Sequence, residues 1–170
     1  KEMAQTLTPL IAGGTGSFSH LETMPTNMPD TFEAGTLNLP GIIGLNEGLS
    51  YIESVGMENI HNHELALTKA FLEGLRSITG VNIIGKQDIQ DRTAVVSITI
   101  DNMDAASIAY ELESKYHIMT RVGLHCAPRA HQTLGTYPEG TVRFSFGYAN
   151  TLEEVDMSLS ALHTIVKNTK

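Results

Sequence analysis

A chain of 170 residues with 41% apolar content has room for one well-cored domain, or one domain and a fragment of another, and it holds no apolar run near the roughly 18 residues of a membrane span. A formal net charge of −8, with arginines and lysines scattered along the chain, argues against a nucleic-acid partner, since phosphate binding needs a basic face. The single cysteine, Cys126, excludes an intrachain disulfide framework and suits a reducing, cytoplasmic setting.

The start, Lys1-Glu2-Met3, carries no signal-peptide core after it, and the expectation is a piece of a longer polypeptide. Residues 1–41 are rich in Gly, Thr, Pro and Met and poorly periodic, which is unusual inside a compact domain unless the segment is functional. From Pro40 the pattern changes. Ile42, Leu45, Leu49 and Ile52 share one face of a helix predicted over 41–55. A second helix is predicted over 58–78, with Leu65, Phe71, Leu72 and Leu75 toward a core. Strands are predicted over 81–84 and 93–100 from their β-branched residues. Asp104 is placed to cap a helix over 105–115. Short strands follow at 118–121 and 141–147, and residues 124–136 read as a short, constrained loop. Thr151 and Glu154 form a capping box that opens a last helix, ending near Val166. This order predicts an α/β sandwich of the α+β kind, helices on a small mixed or antiparallel sheet. It divides the chain into a leading segment, 1–41, and a domain, 42–170.

Three places can carry chemistry. Cys126 follows a strand on a loop that contains Gly123 and ends at Pro128, with Arg121 and His125 beside it to favour thiolate. By its chemistry alone the commoner reading is a small buried hydrophobe. Arg143 lies mid-strand between Val142 and Phe144 and faces away from them, either solvated or as a planar fork for a carboxylate. Gly35, Thr36 and Asn38 precede a helix, where a hydroxyl and free amides suit an anion or serve only as a cap. Gly13–Ser17 lacks the lysine of a nucleotide P-loop. His61 and His63 point to different helix faces, and His125 and His131 have no second cysteine or carboxylate near them, so no metal set is expected.

Taken together these segments resemble the cysteine desulfurase branch of the class V aminotransferases. Phe32–Asn38 is similar to that family's FEAGTxN segment, and Arg121–Ala127 to its RxGxHCA segment. Gly140–Ser145 resembles its carboxylate-binding strand, and Asn150–Asp156 the start of its last helix. The resemblance implies the small C-terminal domain of a pyridoxal-phosphate enzyme of fold type I. It implies Cys126 as the nucleophile that takes sulfur from L-cysteine as a persulfide and leaves alanine. Arg143, with Asn38, His125 and Arg121, would bind substrate, and Thr36 and Gly35 would meet the cofactor phosphate of the partner subunit in a homodimer. A sulfur-acceptor protein is a further implied partner. Selenocysteine lyase or another lyase or transaminase of the class would use the same residues, and a non-catalytic dimerisation or binding module is the reading from another class. Two departures stand out. Val122 replaces a common threonine, and none of Lys1, Lys69, Lys86, Lys115, Lys167 and Lys170 follows a histidine as the family's cofactor lysine does. The expectation is therefore a chain inactive alone.

Overall fold

A computed structural model describes residues 3–168. The chain forms two compact units, Lys1–Ser54 and Val55–Lys170. In the first unit two short 3-10 turns, Met3–Thr6 and Asp30–Phe32, precede helix α1, Leu39–Val55. Asn38 caps α1: its Oδ1 accepts from the Gly41 amide at 3.1 Å, satisfying one of the donors every helix start leaves free. The apolar residues Ile42, Leu45 and Leu49 of α1 are all exposed. The division into units falls at the end of α1, between Ser54 and Val55.

The second unit contains α2 (Met57–Leu75), β1 (Val81–Ile84), β2 (Val95–Ile100), α3 (Ala105–Tyr116), β3 (Arg121–Gly123), α4 (Pro128–Leu134), β4 (Thr141–Ser145) and α5 (Leu152–Asn168). The four strands form one sheet in the order β1-β2-β4-β3, with every pairing antiparallel. Strand alternation sorts its faces. Val96, Ile98 and Ile100 of β2, with Val142 and Phe144 of β4, are buried in the core. Leu67, Phe71, Leu72 and Leu75 of α2, Ile108 and Leu112 of α3, and Val155, Leu162 and Ile165 of α5 cover them. Phe71 joins two of these layers, its ring 4.8 Å from that of Phe144 and 5.1 Å from that of Phe146. The expected α+β architecture is present, and the sheet is antiparallel rather than mixed.

The caps act as the sequence suggests. Ser107 donates its amide to Asp104 Oδ1 at 2.9 Å at the start of α3. Thr151 and Glu154 exchange reciprocal bonds, amide to Oε2 at 3.0 Å and amide to Oγ1 at 3.3 Å. Two expectations need correction. The strand expected at 118–121 begins only at Arg121, because α3 ends on His117 at φ 56 and the Ile118 amide is spent on the Leu112 carbonyl. The loop expected over 124–136 contains α4, entered through Pro128 and stopped by Gly135 at φ 72, the helix-opening and helix-closing residues of choice. Among the described residues no helix is long and apolar enough to cross a membrane.

Candidate active site

The face of the sheet opposite α2 and α3 carries the charged groups. Arg143, at the centre of β4, is paired with Ser97 of β2 on one side and Arg121 of β3 on the other. Two arginines directly opposite across strands repel one another, an arrangement relieved by an anion between them. The Arg143 Nε is buried and has no hydrogen-bond partner. A guanidinium is donor only and never neutral, so this orphan donor fits an acceptor from outside the chain, such as a carboxylate.

Strand β3 then delivers the cysteine. Gly123 ends it at φ 101, and Gly140, just before β4, packs against the Gly123 backbone so closely that a Cβ there would collide with it. Leu124 to Ala127 form a turn closed by the Ala127 amide on the Leu124 carbonyl at 2.8 Å. Its two central residues are His125 at φ 50 and Cys126 at φ 60. Neither is glycine, and each such conformation costs about 1–2 kcal/mol. The turn holds Cys126 exposed at its tip, with the Arg121 Nη2 donating toward its Sγ at 3.7 Å. The reading of Cys126 as a small buried hydrophobe therefore fails.

His125 lies inside the turn. Its Nε2 is 3.0 Å from Thr141 Oγ1, and its Nδ1 is buried without a partner. Burial first, then the positive charge of Arg143, the neighbouring His131 and Arg121, push its pKa below the ordinary imidazole value, with only a Thr141 backbone bond opposing. The ring is accordingly neutral near pH 7. His131 of α4 is buried, 5.6 Å from the His125 ring, with its Nδ1 2.7 Å from Thr136 Oγ1.

Cys126, His125, Arg121 and Arg143 thus come together in the second unit. Gly35, Thr36 and Asn38 belong to the first unit. Thr36 lines a cavity of about 540 Å³ with Gly14, Thr15 and Gly35, and with the acidic Asp30 and Glu33. The Gly35 amide is committed to the Gly14 carbonyl at 2.7 Å, so Gly35 supplies the positive-φ turn, at φ 86, rather than a donor. No bond engages the Thr36 hydroxyl among the described residues, and it remains available to a phosphate oxygen. Sequence reasoning missed Thr141, His131 and Thr136 as parts of this site. The signal was present: Thr141 lies two residues before Arg143 and so on the same strand face, and Pro128 to Gly135 spells a short helix that turns His131 inward.

Comparison with known proteins places this geometry in a family. The description "Aminotransferase class-V" matches residues 1–157, and the chain belongs to that family. A probable cysteine desulfurase from Pyrococcus abyssi is 37% identical over 161 residues, which are 94% of this chain and 39% of that protein. The probable cysteine desulfurase 2 of Mycobacterium leprae is 34% identical over 160 residues, 92% of this chain and 37% of that protein. Among solved structures, the apo cysteine desulfurase from Thermococcus onnurineus NA1 superposes with a TM-score of 0.81 at 36% identity, covering 95% of this chain and 40% of that one. The Escherichia coli cysteine desulfurase CsdA, 24% identical with a TM-score of 0.79 over 98% of this chain and 41% of that one, shares the fold. The chain therefore spans about two fifths of the length of these relatives.

Proposed function

We propose that this chain is the C-terminal part of a pyridoxal-phosphate-dependent cysteine desulfurase and that Cys126 is its nucleophile. The observation that carries the reading is the pairing of an exposed thiol on a strained turn, 3.7 Å from Arg121, with the buried, unpartnered Nε of Arg143. That pairing suits a substrate with a carboxylate at one end and a sulfur at the other. Arg143 takes the α-carboxylate as a donor fork. The Cys126 sulfur then attacks the sulfur of L-cysteine. A sulfur–sulfur bond forms, the carbon–sulfur bond breaks, and its electron pair stays with carbon, which takes a proton and becomes the methyl group of alanine. Arg121 neutralises charge on the Cys126 sulfur before and after the transfer. Electron withdrawal from the substrate carbon is the chemistry that pyridoxal phosphate supplies when bound.

This chain's part in holding that cofactor is the Thr36 hydroxyl, toward the phosphate of a partner subunit in a homodimer. The lysine that carries the cofactor lies elsewhere: none of Lys1, Lys69, Lys86, Lys115, Lys167 and Lys170 follows a histidine, and Lys69, Lys86 and Lys115 engage Glu73, the Gln90 carbonyl and Glu111. Alone the chain is inactive. The test is alanine and persulfide formation from L-cysteine, with selenocysteine in parallel, by this chain together with the polypeptide that bears the lysine. Cys126→Ser abolishes alanine release if the reading is right. Undiminished release in that variant, or release from selenocysteine only, overturns it.

A further inference from the structure

The resemblance to the desulfurases assigns nothing to Thr141, yet its hydroxyl sits at the centre of the site. Thr141 opens β4, is fully buried at 0% exposure, and projects to the same sheet face as Arg143. Its Oγ1 is 3.0 Å from His125 Nε2. Behind the ring stands His131, 6% exposed and itself held by Thr136. One imidazole nitrogen is thereby engaged and the ring is backed, while Nδ1 stays buried and free of partners. The next residue is Cys126, and both members of the pair are held at positive φ. Such a conformation persists only where surrounding structure over-determines it. The Ala127–Leu124 bond closes the turn from within, and the His125–Thr141 bond ties it to the sheet.

We propose that Thr141 is a positioning residue for Cys126, acting through His125: its hydroxyl fixes the imidazole in one orientation and so holds the turn that presents the sulfur. The proposal rests on Cys126 being the nucleophile of the desulfurase reading. With Nε2 bonded to the Thr141 hydroxyl, the ring keeps one orientation and Nδ1 is turned in one direction. Released from Thr141 the ring rotates and exchanges tautomers, and the turn loses its tie to β4.

Valine has the shape of threonine without the hydroxyl and keeps the preference for a strand. Serine keeps the hydroxyl. In Thr141→Val the alkylation of Cys126 by iodoacetamide at neutral pH slows about tenfold, the scale set by the loss of one hydrogen bond. The His125 ring ¹⁵N resonances, identified by their absence in His125→Asn, move from one tautomer toward a mixture. In Thr141→Ser both return to the wild-type behaviour. A valine variant that alkylates at the wild-type rate, or a serine variant as slow as the valine one, overturns the proposal. If the valine variant fails to fold, Thr141→Ala is read in the same way. Alanine release by the holoenzyme is followed alongside. Slowed alkylation with serine rescue, but no alanine from any variant including wild type, leaves the positioning role standing and removes the desulfurase reading.

Discussion

At the scale of single residues the site is a balance of charges that the backbone forces together. Register alone sets Arg121 opposite Arg143, and the neutral ring of His125 lies among them without adding a third positive charge. That neutrality has a consequence for stability. The folded-state pKa of His125 is lowered, by burial first and by Arg143 next, so the unfolded chain takes up its proton at a higher pH than the folded one. The contribution of the neutral ring is complete above the ordinary imidazole value near 6.5 and is lost as the pH falls from there through the lower folded value. Urea midpoints measured at about pH 7.5 and about pH 5 should therefore differ more for wild type than for His125→Asn. An equal difference in the two proteins would show that His125 is not charged differently in the folded state.

Among the elements, β3 and β4 decide where the cysteine goes, and glycine decides how near they come. Gly140 stands at φ 79, and a Cβ on it would strike the carbonyl carbon and oxygen of Gly123. Gly140→Ala should cost about 2–4 kcal/mol from the left-handed conformation and the overlap combined, and it should displace the Cys126 turn with β3. Denaturant unfolding reads the first effect, and loss of alanine release in the holoenzyme beyond the fall in folded fraction reads the second. A variant as stable and active as wild type would contradict the close approach. Much of this level could be read in the sequence. The periodicity of α2, the β-branched run of β2, the alternation about Arg143 and the caps at Asp104 and Thr151 are local signals, and local bonds honour them. What the sequence hid is non-local. The start of β3 is set by where α3 spends its last carbonyls, and the role of Thr141 depends on a histidine sixteen residues away. Exposure of Cys126 follows from two positive-φ residues, which composition does not favour outside glycine.

On the scale of the whole chain the apolar core is unevenly shared. Every residue of the core cluster lies between Leu67 and Val166, inside the unit Val55–Lys170, while α1 buries none of its side chains. Cooperative unfolding draws its enthalpy from packed structure, at about 0.7 kcal/mol per residue. Scanning calorimetry of the 170-residue chain should accordingly show one transition of about 80 kcal/mol, the value for the second unit alone, rather than the about 120 kcal/mol of a chain packed throughout. Limited proteolysis should cut before Val55 first and leave the rest intact, since cleavage follows the segments that open at least cost. An enthalpy near the larger value, or a first cut within β2 or β4, would mean that the leading unit carries packing of its own. The smaller value would mean that the leading unit adds little cooperative packing of its own to the isolated chain.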